Sequence, residues 1–318
     1  MQYPELRLRR LRQSGNIRAL LQENTVGVED LIMPIFVCEG NTQEIPTMKG
    51  IYNFSLEDTL KEVQELVDLD ILGCLLFGVP KPKEKDAEGS ESWNDNGITQ
   101  KAIRAIKAKF PEFIVMADMC FCSYTTHGHC GVMHGEQLNN DATLGNLAKQ
   151  AVSFANAGAD VLAPSAMIDG QVKIIRKALD KHGFSDKIIM SYSAKFASGF
   201  YAPFRDAADC SPQFGDRKTY QINPANSTEA MREIEQDIKE GADIIMIKPA
   251  MAYLDIVYQA KQKFNYPTAV YNVSGEYAMM KNTADENLIY EILTGFKRAG
   301  ADIIITYFTK EFARWKKN

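Results

Sequence analysis

Short apolar stretches rich in β-branched residues recur along the chain, separated by amphipathic segments. They are LIMPIFV near 31–37, ILGCLLFGV near 71–79, FIVMADMC near 113–120, ADVLAPS near 159–165, KIIMSYS near 187–193, ADIIMIKP near 242–249, PTAVYNVSG near 267–275 and ADIIITYF near 301–308. Each is almost uninterrupted in its hydrophobicity, as a strand buried on both faces must be. Between them, segments such as LEDTLKEVQELVDLD and TLGNLAKQAVSFANAG place apolar residues at helical spacing with charge or amide opposite. Three such segments run into Gly-Ala-Asp ahead of a strand, where glycine suits a helix C-cap. Alternating strands and helices predict a parallel sheet covered by helices. Eight units predict a closed (β/α)8 TIM barrel, a single α/β domain over residues 26–318. The alternative is an open doubly wound sheet, weakened because no glycine-rich phosphate loop follows the first strand. Residues 1–25, with LRLRRLRQ among them, lack the pattern and read as a protruding basic N-terminal arm.

Composition narrows the classes. With 318 residues, 45% hydrophobic and 24% charged, the chain can bury a large core. A net charge of -5 argues against a general nucleic-acid binder, which needs clustered positive charge. No apolar run has the length of a membrane span and the N-terminus lacks the apolar centre of a secretory signal, so a cytoplasmic protein with no membrane partner is expected. Six cysteines do not make a disulfide scaffold in a chain this long. Cys120, Cys122 and Cys130 cluster, while Cys38, Cys74 and Cys210 are scattered and read as ordinary core or surface residues.

In a barrel, catalytic groups stand at the C-terminal ends of several strands. Here those ends carry Asp118, Cys120 and Cys122 (third), Ser165 (fourth), Lys195 (fifth), Lys248 (sixth), Tyr271 and Ser274 (seventh), and Tyr307 (eighth). A lysine closing a buried strand is costly to desolvate, and a second cation nearby lowers its pKa further, leaving a neutral amine able to attack a carbonyl. A single lysine there is equally read as snorkelling to water or holding a phosphate. Two at neighbouring strand ends point to covalent imine chemistry. The thiols of Cys120, Cys122 and Cys130 suit zinc, with a fourth position open to water or substrate, or closed by His127 or His129. The segment FYAPFRDAADCSPQFGDRKTYQ sets Arg205, Arg217, Lys218 and Gln221 beside Tyr201 and Phe204, which suits a flap closing over an anionic substrate, although a solvated charged loop has the same composition.

The motifs DMCFCSYTTHGHCG, APSAMIDG, SYSAKFASGFYAPFRDA, GDRKTYQ, IKPAMAYLD, YNVSGEYAM and RAGADIIITYF, in this order and over nearly the whole chain, resemble the porphobilinogen synthase (5-aminolaevulinate dehydratase) family. The resemblance implies condensation of two 5-aminolaevulinate molecules to porphobilinogen, with loss of two waters, in tetrapyrrole (haem) biosynthesis. It implies that Lys248 and Lys195 form the imines of the P-site and A-site substrates. Cys120, Cys122 and Cys130 match a catalytic zinc triplet. Arg205, Arg217 and Gln221 match the grip on the A-site carboxylate, Ser274 and Tyr307 the P-site carboxylate contacts, and Asp118 and Ser165 the pocket around the P-site amine; Tyr201, Phe204 and Tyr271 are expected to line the substrate. Glu233 matches a glutamate that binds an activating magnesium between subunits, and the family is typically a homo-octamer in which the arm wraps a neighbour. Thr219 stands where animal members have a cysteine, so the second zinc site that this cysteine shares with the equivalent of His129 is not expected. MMKNTADENLIYEIL is several residues shorter than usual, which bears on the local loop. The nearest rivals are a class I aldolase, which leaves Lys195 and the cysteines unused, and a zinc-binding interaction module, which leaves the lysines and arginines unused.

Overall fold

The computed structural model describes residues 2–283 and 285–317. Met1 and Asn318, the ends of the expected arm and barrel, and Ala284, within the shortened segment, lie outside the described residues. Eight parallel strands form the barrel: β1 Leu31–Cys38, β2 Gly73–Val79, β3 Ile114–Met119, β4 Val161–Pro164, β5 Ile188–Lys195, β6 Ile244–Lys248, β7 Thr268–Asn272 and β8 Ile303–Thr306. They pair in chain order, and β8 returns to β1 through Leu31↔Ile304 and Ile32↔Ile305. Closure rules out the open doubly wound sheet. Every residue of β2 is buried, as its unbroken apolar run requires.

A helix follows each strand and covers the outside: α1 Leu56–Asp68, α2 Ile98–Lys109, α3 Asn140–Ala157, α4 Gln171–Lys181, α5 Ser227–Glu240, α6 Leu254–Phe264, α7 Glu286–Ala299 and α8 Thr309–Lys317. Side chains cap several N-termini, with Ser55, Asn139 and Asp285 accepting from the amides of Asp58, Ala142 and Leu288. Gly158, Gly241 and Gly300 end α3, α5 and α7 at φ of 105°, 105° and 118°, a conformation that favours glycine.

The aspartate of each Gly-Ala-Asp does the same work at the barrel floor. Asp160 accepts the Val115 amide (2.8 Å) and pairs with Lys107 of α2. Asp243 accepts the Ile189 amide (2.8 Å) and pairs with Arg176 of α4. Asp302 accepts the Thr268 amide (2.8 Å) and pairs with Lys261 of α6. Each clamp satisfies an early amide of a strand and holds a cation of the helix that leads into that strand.

β5 contains a bulge. Its register with β6 runs Ser191↔Ile245, then Ala194↔Ile247 and Lys195↔Lys248, so two residues oppose Met246. Ser191 faces outward, its hydroxyl donating to Asp237 of α5 at 2.6 Å. Strict alternation from Ser191 would send Lys195 outward too; the extra residue turns it into the barrel. β7 stops at Asn272, short of the expected 275, and Ser274 begins a separate helix, Ser274–Thr283. In residues 2–25, a short 3-10 turn (Leu8–Arg12) and a helix (Gly15–Leu20) stand largely exposed. Among the described residues no helix is long and apolar enough to cross a membrane.

Candidate active site

Lys195 and Lys248 are directly opposite on adjacent strands, 6% and 4% exposed. The Lys195 amine donates to the Ser165 carbonyl. The Lys248 amine is surrounded by rings, with its Nζ 4.2 Å from the Tyr271 centroid, 4.9 Å from Phe204, 5.0 Å from Tyr192 and 5.5 Å from Tyr201. Burial lowers its pKa to about 7, assisted by the Lys195 charge and opposed by Asp118. A buried amine that is half neutral near pH 7 is a competent nucleophile. Asp118 is pushed up from the ordinary carboxylate range by burial, against the pull of both lysines, and its Oδ1 lacks a hydrogen-bond partner.

These groups enclose a small cavity of about 10 Å³, lined by both lysines, Asp118, Ser165, Cys120, Cys122, Tyr201, Phe204 and Arg217. That is room for about one water, so a substrate enters only when the segment over the cavity moves.

That segment is the expected flap, residues 200–221, of which Tyr201, Phe204 and Arg217 line the cavity. Its ends are tied beside the lysines: Phe196 N–H and the Tyr201 hydroxyl donate to the Lys248 carbonyl (3.0 and 3.1 Å), and Ile222 N–H donates to the Lys195 carbonyl (3.0 Å). Phe204 plugs the mouth, its ring 5.3 Å from Phe77 and 5.7 Å from Phe36. Arg217 is buried; its Nη2 bonds the carbonyls of Gly128 and Cys210, while its Nε has no partner, and neither does Arg205 Nε or Gln221 Nε2. An unpaired buried donor costs about 1–3 kcal/mol, so these three suit an anionic ligand. Arg205 and Gln221 lie outside the lining of the closed cavity. So do Tyr271 and Tyr307, whose hydroxyls are 3.1 Å apart, and Ser274, whose hydroxyl donates to the Phe200 carbonyl and accepts from Phe204 N–H.

The sulfurs of Cys120, Cys122 and Cys130 lie within 4.8 Å of one another, all buried, with Cys120 and Cys122 3.3 Å apart. Ligands on a tetrahedral zinc at Zn–S of about 2.3 Å stand roughly 3.8 Å apart, so the triplet fits that ion after small shifts. The mutual hydrogen bonds of the triplet raise Cys120 and lower Cys122, as expected of thiols sharing a proton. Burial works against the charge of Arg217, but the sulfurs of Cys130, Cys122 and Cys210 beside it more than offset that and raise its pKa. The histidines do not complete the set. His129 spends Nδ1 on the Tyr220 hydroxyl and Nε2 on the Phe214 carbonyl, and His127 Nε2 meets the Ala87 carbonyl.

Glu233 lies elsewhere, on α5, in a cavity of about 1050 Å³ that it shares with Asp169, Glu229, Arg232 and Asp237. Burial and the charges of Asp169, Asp237 and Glu229 raise it to about 7. Among the described residues only the cysteine triplet brings three ligand atoms together, so Glu233 by itself is an incomplete metal site. Neither Lys195 nor Lys248 lines the larger cavity, whereas both line the small one.

Two neighbours escape a reading by sequence. Tyr192 stands under both lysines, its hydroxyl without a partner; the bulge hides it, because alternation does not foretell which residues of SYSAK face inward. Cys210, read above as scattered, is buried beside Cys122, within hydrogen-bonding reach of its thiol. Gly128 allows this approach: at φ +72°, it lets the Ser211 carbonyl come within 2.4 Å of where a β-carbon would stand.

Comparison with known proteins shows the family. A sequence model of the family described as "Delta-aminolevulinic acid dehydratase" matches residues 5–315. The delta-aminolevulinic acid dehydratase of Synechocystis sp. is 50% identical over 98% of this chain and 99% of its own, and that of Helicobacter pylori 52% identical over 96% and 97%. The solved delta-aminolevulinic acid dehydratase (porphobilinogen synthase) from Toxoplasma gondii ME49, in complex with the reaction product porphobilinogen, superposes with a TM-score of 0.96 at 42% identity, covering 99% of this chain and 92% of that one. Matching in sequence and in fold over almost its full length, the chain belongs to the delta-aminolevulinic acid dehydratase family.

Proposed function

We propose that this protein condenses two molecules of 5-aminolaevulinate to porphobilinogen with loss of two waters, each substrate held as an imine on one lysine. The observation that carries the reading is the pairing of Lys195 with Lys248 as cross-strand neighbours inside one buried pocket. A single-imine enzyme has no use for the second amine. Each ketone condenses with one amine and releases one water; the imine is a better electrophile than the ketone, and its enamine tautomer a nucleophile, so two imines side by side supply both partners of a carbon–carbon bond. Holding both reactants in one pocket removes most of the entropic barrier between them.

Arg205, Arg217 and Gln221 grip the carboxylate of the A-site substrate on Lys195 through donors that have no other partner. Ser274 and Tyr307 receive the carboxylate of the P-site substrate on Lys248 once Phe204 withdraws with the flap, and Tyr271 packs on the imine. Asp118, with Ser165 beside it, meets the P-site amine; a carboxyl raised by burial is suited to exchanging protons there. Cys120, Cys122 and Cys130 would hold zinc, which when bound supplies a Lewis acid beside the A-site substrate.

The family resemblance and the charge pattern support a homo-octamer joined by the arm, residues 1–25. Its exposed Leu6, Leu8 and Leu11 alternate with arginines, and the acidic cavity around Glu233 complements them. Magnesium at Glu233, completed by a neighbouring subunit, and a cytoplasmic place in tetrapyrrole biosynthesis belong to the same proposal. Activity indifferent to magnesium in chelator-treated enzyme, or a monomer by light scattering, would remove those parts while leaving the chemistry.

The deciding experiment is pyrrole formation from 5-aminolaevulinate before and after chelation and zinc add-back. Product that disappears and returns establishes the reaction together with the metal, product indifferent to chelation demotes the cysteines, and no product under any condition overturns the reading.

A further inference from the structure

Glu276 has no part in the chemistry above, yet it is 1% exposed and ionisable. Burying a carboxylate is costly unless donors surround it, and here they do. Its Oε1 accepts the Met251 amide at 2.7 Å; its Oε2 accepts the Val273 amide at 2.9 Å and Asn272 Nδ2 at 3.2 Å. Met251 lies three residues beyond Lys248, and Val273 directly precedes Ser274. Asn272 in turn accepts the Thr306 hydroxyl at 2.9 Å, next to Tyr307. One carboxylate thus joins the turn leaving β6 to the turn leaving β7 and, through Asn272, to the end of β8. The other side of Lys248 is tied to β5 and the flap through its carbonyl, so Glu276 completes its fixation. Gly275 brings the flap against the same turn, with the Phe200 carbonyl 2.5 Å from where its β-carbon would stand.

We propose that Glu276 is a positioning residue that sets the distance from the Lys248 amine to the hydroxyls of Ser274 and Tyr307, and so selects ketones whose carboxylate lies at that distance. This rests on the reading of those groups as the amine and carboxylate contacts of one substrate. Glu276→Gln keeps the size but turns one acceptor into a donor that must face the Met251 amide or the Val273–Asn272 pair. One tether then fails, and the spacing between amine and hydroxyls loosens.

The test is borohydride trapping at Lys248 with two ketones, 5-aminolaevulinate and aminoacetone, which shares the aminomethyl ketone but lacks the propionate. Hydride adds to the imine carbon and leaves a secondary amine, read by peptide mass spectrometry. The wild-type protein labels faster with 5-aminolaevulinate, and in Glu276→Gln the ratio of the two rates falls about tenfold, since misplacements near 1 Å cost up to about 10²-fold. Glu276→Asp, one methylene shorter with its carboxyl group kept, moves the ratio the same way and serves if the glutamine variant does not fold. A folded variant with an unchanged ratio overturns the positioning role, whether both rates drop together, as a merely structural role would have it, or neither moves. No adduct on wild-type Lys248 with either ketone overturns the imine reading itself, a result distinct from labelling with an unchanged ratio.

Discussion

The floor and the mouth of this barrel are built from the same kinds of residue and treat them in opposite ways. At the floor, Asp160, Asp243 and Asp302 each meet a strand amide and a cation, and no charge is left over. At the mouth, Asp118 Oδ1, the Tyr192 hydroxyl, Arg217 Nε and Gln221 Nε2 are buried with no partner, and two lysine amines share one pocket. Satisfied polar groups stabilise a fold modestly, whereas unsatisfied ones persist at a cost that the rest of the molecule must offset. A charge at the floor is a fastening. At the mouth, Asp118 and Arg217 keep atoms without a partner, whereas Glu276 is fastened as the floor aspartates are.

The comparison breaks most visibly at Lys248. Lys248→Ala is expected to lower turnover by about three orders of magnitude or more, as removal of a covalent nucleophile does, while the melting temperature holds or rises because a desolvated amine is gone. Near wild-type turnover by this variant would refute the imine role. Replacing Cys120, Cys122 and Cys130 together by Ala should abolish tight zinc binding, measured by atomic absorption, and lower turnover about a hundredfold, within the range of lost Lewis-acid assistance. A metal-free triple variant with full activity would show that the cluster is incidental.

A smaller effect comes from pH. With the Lys248 amine near 7, single-turnover imine formation should fall about tenfold per unit below that pH, as the neutral fraction does, and level off above it. The stability consequence has a definite sign. The folded pKa lies below the unfolded value of about 10.4, so the unfolded chain binds more protons between the two, and stability rises with pH over that window. Lys248→Ala should flatten that slope in denaturant titrations. The floor gives the converse result: Asp160→Ala should lower stability by about 1–3 kcal/mol, by stranding the Val115 amide and the Lys107 charge, and leave turnover per folded molecule unchanged. A large loss of turnover without loss of stability would contradict the division between the two ends.

Much of this was readable along the chain. The apolar runs placed all eight strands within a few residues, and the three Gly-Ala-Asp sequences marked where α3, α5 and α7 stop. Apart from Phe204, every residue lining the small cavity is a polar group at a strand end or in the segment 200–221, because a polar side chain closing a buried run has few other places to go. Ser274 was placed on a strand but begins a helix, since YNVSGEY is apolar enough to hide the break after Asn272. Cys210 looked isolated because its neighbour, Cys122, is far away in sequence. Nothing along the chain singles out Glu276, because its donors come from two different turns.

The order of apolar runs, amphipathic segments and glycine caps determined the eightfold alternation, since strand and helix periodicities are local properties of the side chains. The same order placed thiols, amines and guanidinium groups on the mouth side. Only the tertiary structure decided that a bulge in β5 turns Lys195 inward, that Lys195 then stands opposite Lys248, and that the Lys248 amine loses its proton near neutrality. Desolvation and charge–charge interaction depend on distances between strands remote in sequence, and those distances exist only once the barrel has closed.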